Sequence, residues 1–522
     1  MDQGRLVAAL RQQLGAELIE THISYVLLAG DRAYKIKKAV DLGFLDFSTL
    51  AARRFFCAEE LRLNRRLAPS LYLDLVAIGG SVAAPRIVAA EVDGALEYAV
   101  RMARFAQPAL FDAMARRGEL GPAQIDSLAR VMADFHRDAA RATDAAAYGR
   151  AADIELPVRQ NFEQIRALPA ATGDSEALTA LERWSFERHA ALAPSFERRR
   201  AAGFVRECHG DLHLGNVAWI DGAAMPFDGI EFSAPLRWID SVSEIAFLLM
   251  DLHWHQLPHL AWRFLCAYLE RSGDYAGLEL LDDYLVYRAM VRAKIAAIRA
   301  SQDGLGAAVR AAALADYAGH LALARQFCQP RRPVLLLMHG YSGSGKSAVA
   351  RSLVEAGGML RLRSDVERKR LAGLDALARS ASPVNGGLYQ QDMTELTYAE
   401  LTRLARSILV AGWPLVVDAT SLRRWQRDLL RELAAELRLP FLIVACAADV
   451  ELLRQRVSRR AARGRDASEA GLEVLEQQLR GAAADALADD EPVIRVDTGC
   501  ADEAARSARI LTAIRSAACA PG

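Results

Sequence analysis

The spacing of apolar and polar positions changes character along the chain. Residues 22–38 and 72–101 carry short apolar runs broken by turn residues, which predicts strands, and another β-rich island lies at 204–232. Long helical patterns fill most of the remainder up to residue 327, and the stripe Ile125, Leu128, Met132 and Phe135 predicts one core face. Residues 49–67 predict a helix with Phe56, Leu63 and Leu67 on its apolar stripe. Glu60 falls on that stripe, where an unpaired carboxylate is costly, whereas Glu59 is expected to face solvent. Beyond residue 333 the pattern becomes apolar strands at 334–338, 359–363, 415–417, 441–444 and 493–496 alternating with helices, the signature of a parallel α/β sheet. The segment Phe327-Cys-Gln-Pro-Arg-Arg-Pro333 separates the two patterns, so domains are expected at 1–328 and 332–518.

Composition narrows the function classes. The 522 residues are 52% hydrophobic and 25% charged, enough apolar material for more than one core. Sixty-five Lys and Arg balance 65 Asp and Glu, which argues against a general basic field for nucleic acid. The 7 cysteines are scattered and form no Cys-x-x-Cys pair, which fits a reducing compartment. The first residues lack the basic-then-apolar order of a signal peptide, and no uncharged apolar stretch is long enough to span a bilayer. A cytoplasmic protein without a membrane partner is expected. His255 and His259 are four apart, but Pro258 interrupts the helix that would align them, so they are read as ordinary histidines rather than a zinc site.

Two segments carry phosphate chemistry. In the second half, Gly340-Tyr-Ser-Gly-Ser-Gly345-Lys346-Ser347 follows an apolar strand and opens a helix, the context a P-loop requires. Its glycines let successive N–H groups turn toward phosphate oxygens, so Gly340, Ser342, Gly343, Ser344 and Gly345 are expected to cradle a nucleotide. Lys346 neutralises the β- and γ-phosphates of ATP, and the Ser347 hydroxyl contributes to a Mg2+ site. Asp418 ends an apolar strand and is placed to orient the metal, while Asp365 is expected to take a proton from an acceptor hydroxyl or to cap the helix after it. Arg456, Arg459, Arg460 and Arg463 share roughly one helical face that can close over phosphate, or simply be solvated.

In the first half, His209-Gly-Asp211-Leu-His-Leu-Gly-Asn216 has the His-x-Asp-x-x-x-x-Asn spacing of a kinase catalytic loop. Asp211 supplies a carboxylate for the acceptor hydroxyl, and Asn216 a metal ligand. A two-residue turn at Asp221-Gly222 folds Phe227 back against Asn216, which brings Asp228 to the same ion. Upstream, a hairpin at Gly30-Asp31 leads into Lys35 and Lys37 on one strand face; Lys35 is favoured for phosphate, Lys37 being readable as solvated charge, and Glu60 is its expected partner.

The P-loop together with Arg363-Ser-Asp365, Val417-Asp418-Ala-Thr420 and the Arg-rich segment resembles the AAA-type P-loop kinases related to gluconate kinases and polynucleotide 5′-hydroxyl kinases, over about 332–500. The first-half pieces resemble the aminoglycoside phosphotransferase family over about 20–300, and Tyr34-Lys-Ile-Lys-Lys38 with Leu42-Gly-Phe-Leu-Asp-Phe-Ser48 is similar to its subgroup fused to a P-loop kinase. The resemblance implies an α+β kinase-like domain with a small β-rich lobe and a helical acceptor lobe, followed by an α/β P-loop NTPase domain. It implies Asp211 as catalytic base, Asn216 and Asp228 as Mg2+ ligands, and residues 96–102 as an adenine-contacting hinge. No Gly-x-Gly-x-x-Gly loop precedes the lysine strand, a departure from the kinase pattern. The expected function is a bifunctional ATP-dependent phosphotransferase acting on hydroxyls of small molecules. The alternatives are a P-loop kinase or ATPase regulated by an inactive kinase-like binding domain, and a polynucleotide 5′-hydroxyl kinase in the second half.

Overall fold

The structure is a computed structural model, which describes residues 2–519 apart from 44, 144–147, 172, 381–389, 464–465, 482–485 and 500–501. The chain forms two compact units, Met1–Gln256 with Leu280–Phe327, and Leu257–Glu279 with Cys328–Gly522.

The first unit begins with an antiparallel sheet of β1 (Glu17–Glu20), β2 (Ser24–Ala29), β3 (Arg32–Lys37), β4 (Tyr72–Ser81), β5 (Ala84–Ala89) and β6 (Glu97–Ala103). The strand order is β1-β2-β3-β6-β4-β5. Strand alternation decides what each face carries. Ile36, with Leu27, Ile78 and Ala99, packs against Leu6, Val7 and Leu10 of the helix Gln3–Leu14. Lys35 and Lys37 take the opposite phase of the strand, and both reach Glu60 of the helix Leu50–Asn64. Thr49 caps that helix, its hydroxyl accepting from the Ala52 amide. The expected hinge at 96–102 is corrected here. Residues 97–103 are strand β6, whose Val100, Arg101 and Met102 pair with β3 on one side and β4 on the other, so their backbone is already committed to the ladder.

The rest of this unit is largely helical. Ile125, Leu128, Met132 and Phe135 are all buried in the helix Pro122–Asp138. Two small pairings hold the loops of interest: β7 (Val205–Glu207) with β10 (Trp238–Asp240), and β8 (Val217–Ile220) with β9 (Ala223–Pro226). Asp221 and Gly222, at φ 50° and 76°, make the tight turn of the second pair.

The second unit holds a five-stranded parallel sheet of β11 (Leu335–His339), β12 (Leu360–Arg363), β13 (Leu415–Asp418), β14 (Phe441–Ala447) and β15 (Val493–Asp497). Its order is β12-β13-β11-β14-β15, so the central β11 is flanked by β13 and β14. Among the described residues no helix is long and apolar enough to cross a membrane.

The segment Leu257–Glu279 belongs to this second unit although it precedes Leu280–Phe327, which belongs to the first. Trp262 of its helix Pro258–Ser272 meets Trp413 edge to face, and the Trp413 indole N–H donates to the Leu278 carbonyl at 3.2 Å. The Tyr275 hydroxyl donates to Glu367 at 3.1 Å, and Arg361 pairs with Glu270 at 2.6 Å. Removing this segment would uncover Trp413, whose burial alone is worth roughly 2–3 kcal/mol, and would strip Arg361 of its carboxylate. A fragment 329–522 should therefore lack cooperative thermal unfolding and near-UV dichroism, whereas 257–522 should show both; a cooperative transition in the shorter fragment would contradict this.

Candidate active sites

The β8–β9 hairpin sets the first site. The Phe227 amide donates to the Asn216 carbonyl at 2.9 Å, so Asp228 follows directly on the residue opposite Asn216. Asp228 sits at φ 62°, and its amide donates to the Tyr72 hydroxyl at 3.1 Å. A non-glycine residue in the left-handed region is uncommon and collects at functional turns. The loop before Asn216 is anchored from behind. Glu244 accepts from the Gly210 amide at 2.6 Å and pairs with His136 at 2.7 Å, Asp251 accepts from the Leu214 amide at 2.8 Å, and the His209 ring donates to the Phe227 carbonyl at 2.8 Å.

Within this frame Asn216 Nδ2 donates to Asp211 Oδ2 at 3.1 Å and to the Asp211 carbonyl at 3.0 Å. The amide nitrogen being committed, Asn216 Oδ1 is left as an acceptor suited to a hard cation. His213 Nε2 lies 3.4 Å from Asp211 Oδ2. Desolvation opposes the Asp211 charge, but His213 outweighs it and the carboxyl is held well below the ordinary range. The same pairing overcomes the desolvation of His213 and raises its pKa.

Lys35 bridges Glu60, at 2.8 Å, and Asp228. The structure thus brings together Lys35, Glu60 and Asp228 on one side and Asp211 and Asn216 on the other. Lys37 is not solvated charge: it is 1% exposed, pairs with the second oxygen of Glu60 at 2.8 Å, and pairs also with Glu231. Burial alone would raise the Glu60 pKa, yet the two ammonium groups hold it at about 2. At Glu231 burial, reinforced by the negative charge of Glu60, outweighs the pull of Lys37 and Lys35, and its pKa is raised. Sequence reasoning missed Glu231; its place three residues after Asp228 was the signal available. Glu59 is half-buried rather than free, paired with Arg62 at 2.9 Å and near Arg237.

The second site is built where β11 runs into the helix Lys346–Gly357. A Cβ on Gly340, at φ 139°, would lie 2.4 Å from the Cys446 carbonyl, and one on Gly343, at φ 83°, 2.7 Å from the Leu453 carbonyl, so the loop admits only glycine there. Lys346 donates to the carbonyls of Gly340 at 2.8 Å and Tyr341 at 2.7 Å. Burial lowers its pKa to about 8, with Asp418 opposing the shift. The Ser342 amide donates to Gln478 Oε1 at 2.9 Å, a contact the sequence gave no reason to expect.

Arg363 and Asp418 are cross-strand neighbours at the ends of β12 and β13. Asp418 is buried, and its Oδ2 accepts no hydrogen bond from any described residue; the Arg363 Nε lies 3.7 Å away. An orphaned buried carboxylate oxygen, close enough to Lys346 to act on its charge, fits a divalent cation. Asp365 is not the helix cap: Arg363 holds that position in the helix Ser364–Leu371, and Asp365 pairs with Arg368 at 3.1 Å. Arg456 donates to Thr498 Oγ1 at 3.0 Å and to the Thr498 carbonyl at 2.7 Å, and its other contact is the Gly343 carbonyl at 3.4 Å. Arg460 donates to the Ala470 carbonyl at 2.7 Å, and Arg459 is exposed. The Arg463 side chain lies outside the described residues.

Residues 51–229 match the family described as phosphotransferase enzyme family, and residues 335–484 the family described as AAA domain. Uncharacterized proteins of Mycobacterium tuberculosis and Mycobacterium bovis are 31% identical over 449 residues, covering 86% of this chain and 87% of theirs. Among solved structures, an amicoumacin kinase is 14% identical over 62% of this chain and 94% of its own, with a TM-score of 0.39. A gluconokinase of Sinorhizobium meliloti is 23% identical over 36% of this chain and 95% of its own, with a TM-score of 0.27. The chain belongs to the family of these mycobacterial proteins, and in this chain a kinase-like phosphotransferase segment precedes a P-loop segment of the AAA-domain family.

Proposed function

We propose that the chain is a bifunctional ATP-dependent phosphotransferase that moves the γ-phosphate to hydroxyl groups of small molecules at two separate sites. What supports this reading is that each unit gathers a lysine and carboxylates of its own: Lys35 with Glu60 and Asp228, and Asn216 hydrogen-bonded to Asp211, in the first; Lys346 in the P-loop with Asp418 as an electrostatic neighbour in the second. Asn216 and Asp228 would hold Mg2+ in the first site, Ser347 and Asp418 in the second; when bound, the ion neutralises phosphate oxygens. In the first site Lys35 holds the phosphates, and Asp211, kept ionised by His213, accepts the hydrogen bond of the acceptor hydroxyl. That proton passes to Asp211 as the new O–P bond forms and the bond to the β-phosphate oxygen breaks. In the second site Lys346 exchanges loop carbonyls for phosphate oxygens, Asp365 serves the acceptor, and Arg456 and Arg460 add positive charge over the loop. A second reading, in which the first unit only senses a ligand, is favoured by the β1–β2 connection, Thr21-His-Ile-Ser24, which holds no glycine to cover phosphates.

Acceptor-dependent ATP consumption by the full chain, screened over pooled sugars, aminoglycosides and nucleosides, separates the two. Asp211→Asn and Lys346→Ala should each remove part of the consumption and together all of it. Complete loss from Lys346→Ala alone would leave the sensor reading standing.

A further inference from the structure

Arg363 occupies an awkward place for a cation. It is half-buried at the end of β12, and its guanidinium lies within reach of three carboxylates: Asp466 at 2.9 Å, Asp418 at 3.7 Å and Glu270 at 3.7 Å. Asp418 Oδ2 takes no hydrogen bond from it or from any described residue. An arginine this close to a buried carboxylate competes with any metal for it, because a guanidinium and a divalent ion seek the same oxygens. The outer nitrogens of the guanidinium face other carboxylates, Nη2 meeting Asp466 at 2.9 Å and Nη1 meeting Glu270 at 3.7 Å. Glu270 approaches Arg363 through Oε2, while its Oε1 is fixed by Arg361 at 2.6 Å. The helix that carries it is held by the Trp262–Trp413 contact, and the Tyr275–Glu367 hydrogen bond fixes the chain just beyond the helix end.

We propose that Glu270, contributed by the segment Leu257–Glu279, is a positioning residue of the second site that draws Arg363 away from Asp418 and so keeps Asp418 open to a divalent cation. The proposal rests on the reading of Asp418 as a metal-orienting acid. It gives the segment Leu257–Glu279 a function beyond packing: it supplies the counter-charge that tunes the metal affinity of the second site. With Glu270 neutral, Arg363 retains Asp466 and gains Asp418, and metal must then displace it.

The test uses the full chain carrying Asp228→Asn, so that metal binding reports on the second site, and counts bound Mn2+ by electron paramagnetic resonance with ADP present. Glu270→Gln should raise the Mn2+ half-saturation about tenfold, the scale of one charge contact partly screened in a protein, while ADP affinity without metal stays unchanged. Arg363→Met alone should lower the half-saturation, and Glu270→Gln with Arg363→Met should return it to or below the parent value. An unchanged half-saturation in Glu270→Gln, or failure of Arg363→Met to reverse the effect, overturns the proposal. Loss of metal-free ADP affinity in Glu270→Gln also overturns it, because that marks general damage to the loop. Mn2+ binding that Asp418→Asn leaves untouched defeats the metal assignment itself, and that outcome is distinct from the others.

Discussion

Asp211→Asn is expected to lower first-site phosphate transfer by about 10²- to 10⁴-fold, the span removed with a positioned acid–base group, while leaving nucleotide affinity and the fold nearly intact. The side chains are isosteric, and Asn216 can still donate to the new amide oxygen, so the loop that Glu244 and Asp251 anchor has no reason to move. What disappears is the acceptor for the hydroxyl proton. The pH profile gives a second check. Desolvation is outweighed by His213, and the Asp211 carboxyl titrates below the usual range, so it stays ionised as pH falls through that range. Acidification should therefore not quench the first site where an ordinary carboxylate would protonate. An acid limb in the ordinary carboxylate range that vanishes in His213→Gln would contradict the pairing.

Lys37→Met is expected to destabilise the first unit by about 3–5 kcal/mol, the cost of removing one partner from a buried ion pair. The loss falls chiefly on Glu231, which is buried and would face Glu60 with no cation between them. Glu231→Gln added to Lys37→Met should recover most of that stability by discharging the orphaned carboxylate. Calorimetric unfolding of the parent, single and double variants measures this; equal midpoints for parent and single variant would mean that the cluster contributes nothing. Glu60 sets the acid side. Its folded value of about 2 against 4.5 makes its contribution fully present above pH 4.5 and lost as pH falls toward 2. Without Lys37 the folded value should rise, and acid unfolding should begin at a higher pH.

The parts of this structure that were legible in the sequence are those with a local physical signature. The Asp221-Gly222 turn sets the Asn216–Phe227 pairing by hairpin geometry alone, and Glu60 on an apolar stripe called for a buried cation. The parallel sheet followed from apolar runs that end at Asp418 and at the P-loop. What escaped was tertiary. Lys37 and Lys38 are adjacent and equally charged, and only the placement of Glu231 across the cleft shows that the first is buried. Residues 96–102 are apolar enough for either a hinge or an interior strand, and the pairing on both sides of β6 decides for the strand. Leu257–Glu279 reads as one more helical stretch of the first half; its place against β12 depends on Trp413, some 140 residues further on.

Nucleotide stoichiometry reaches the central claim most directly. Calorimetric titration of the full chain with the Mg2+ complex of a nonhydrolysable ATP analogue should show two equivalents bound, one after Lys346→Ala, one after Lys35→Met, and none when both are changed. A single equivalent in the unaltered chain, abolished by Lys346→Ala and indifferent to Lys35→Met, would contradict two independent sites.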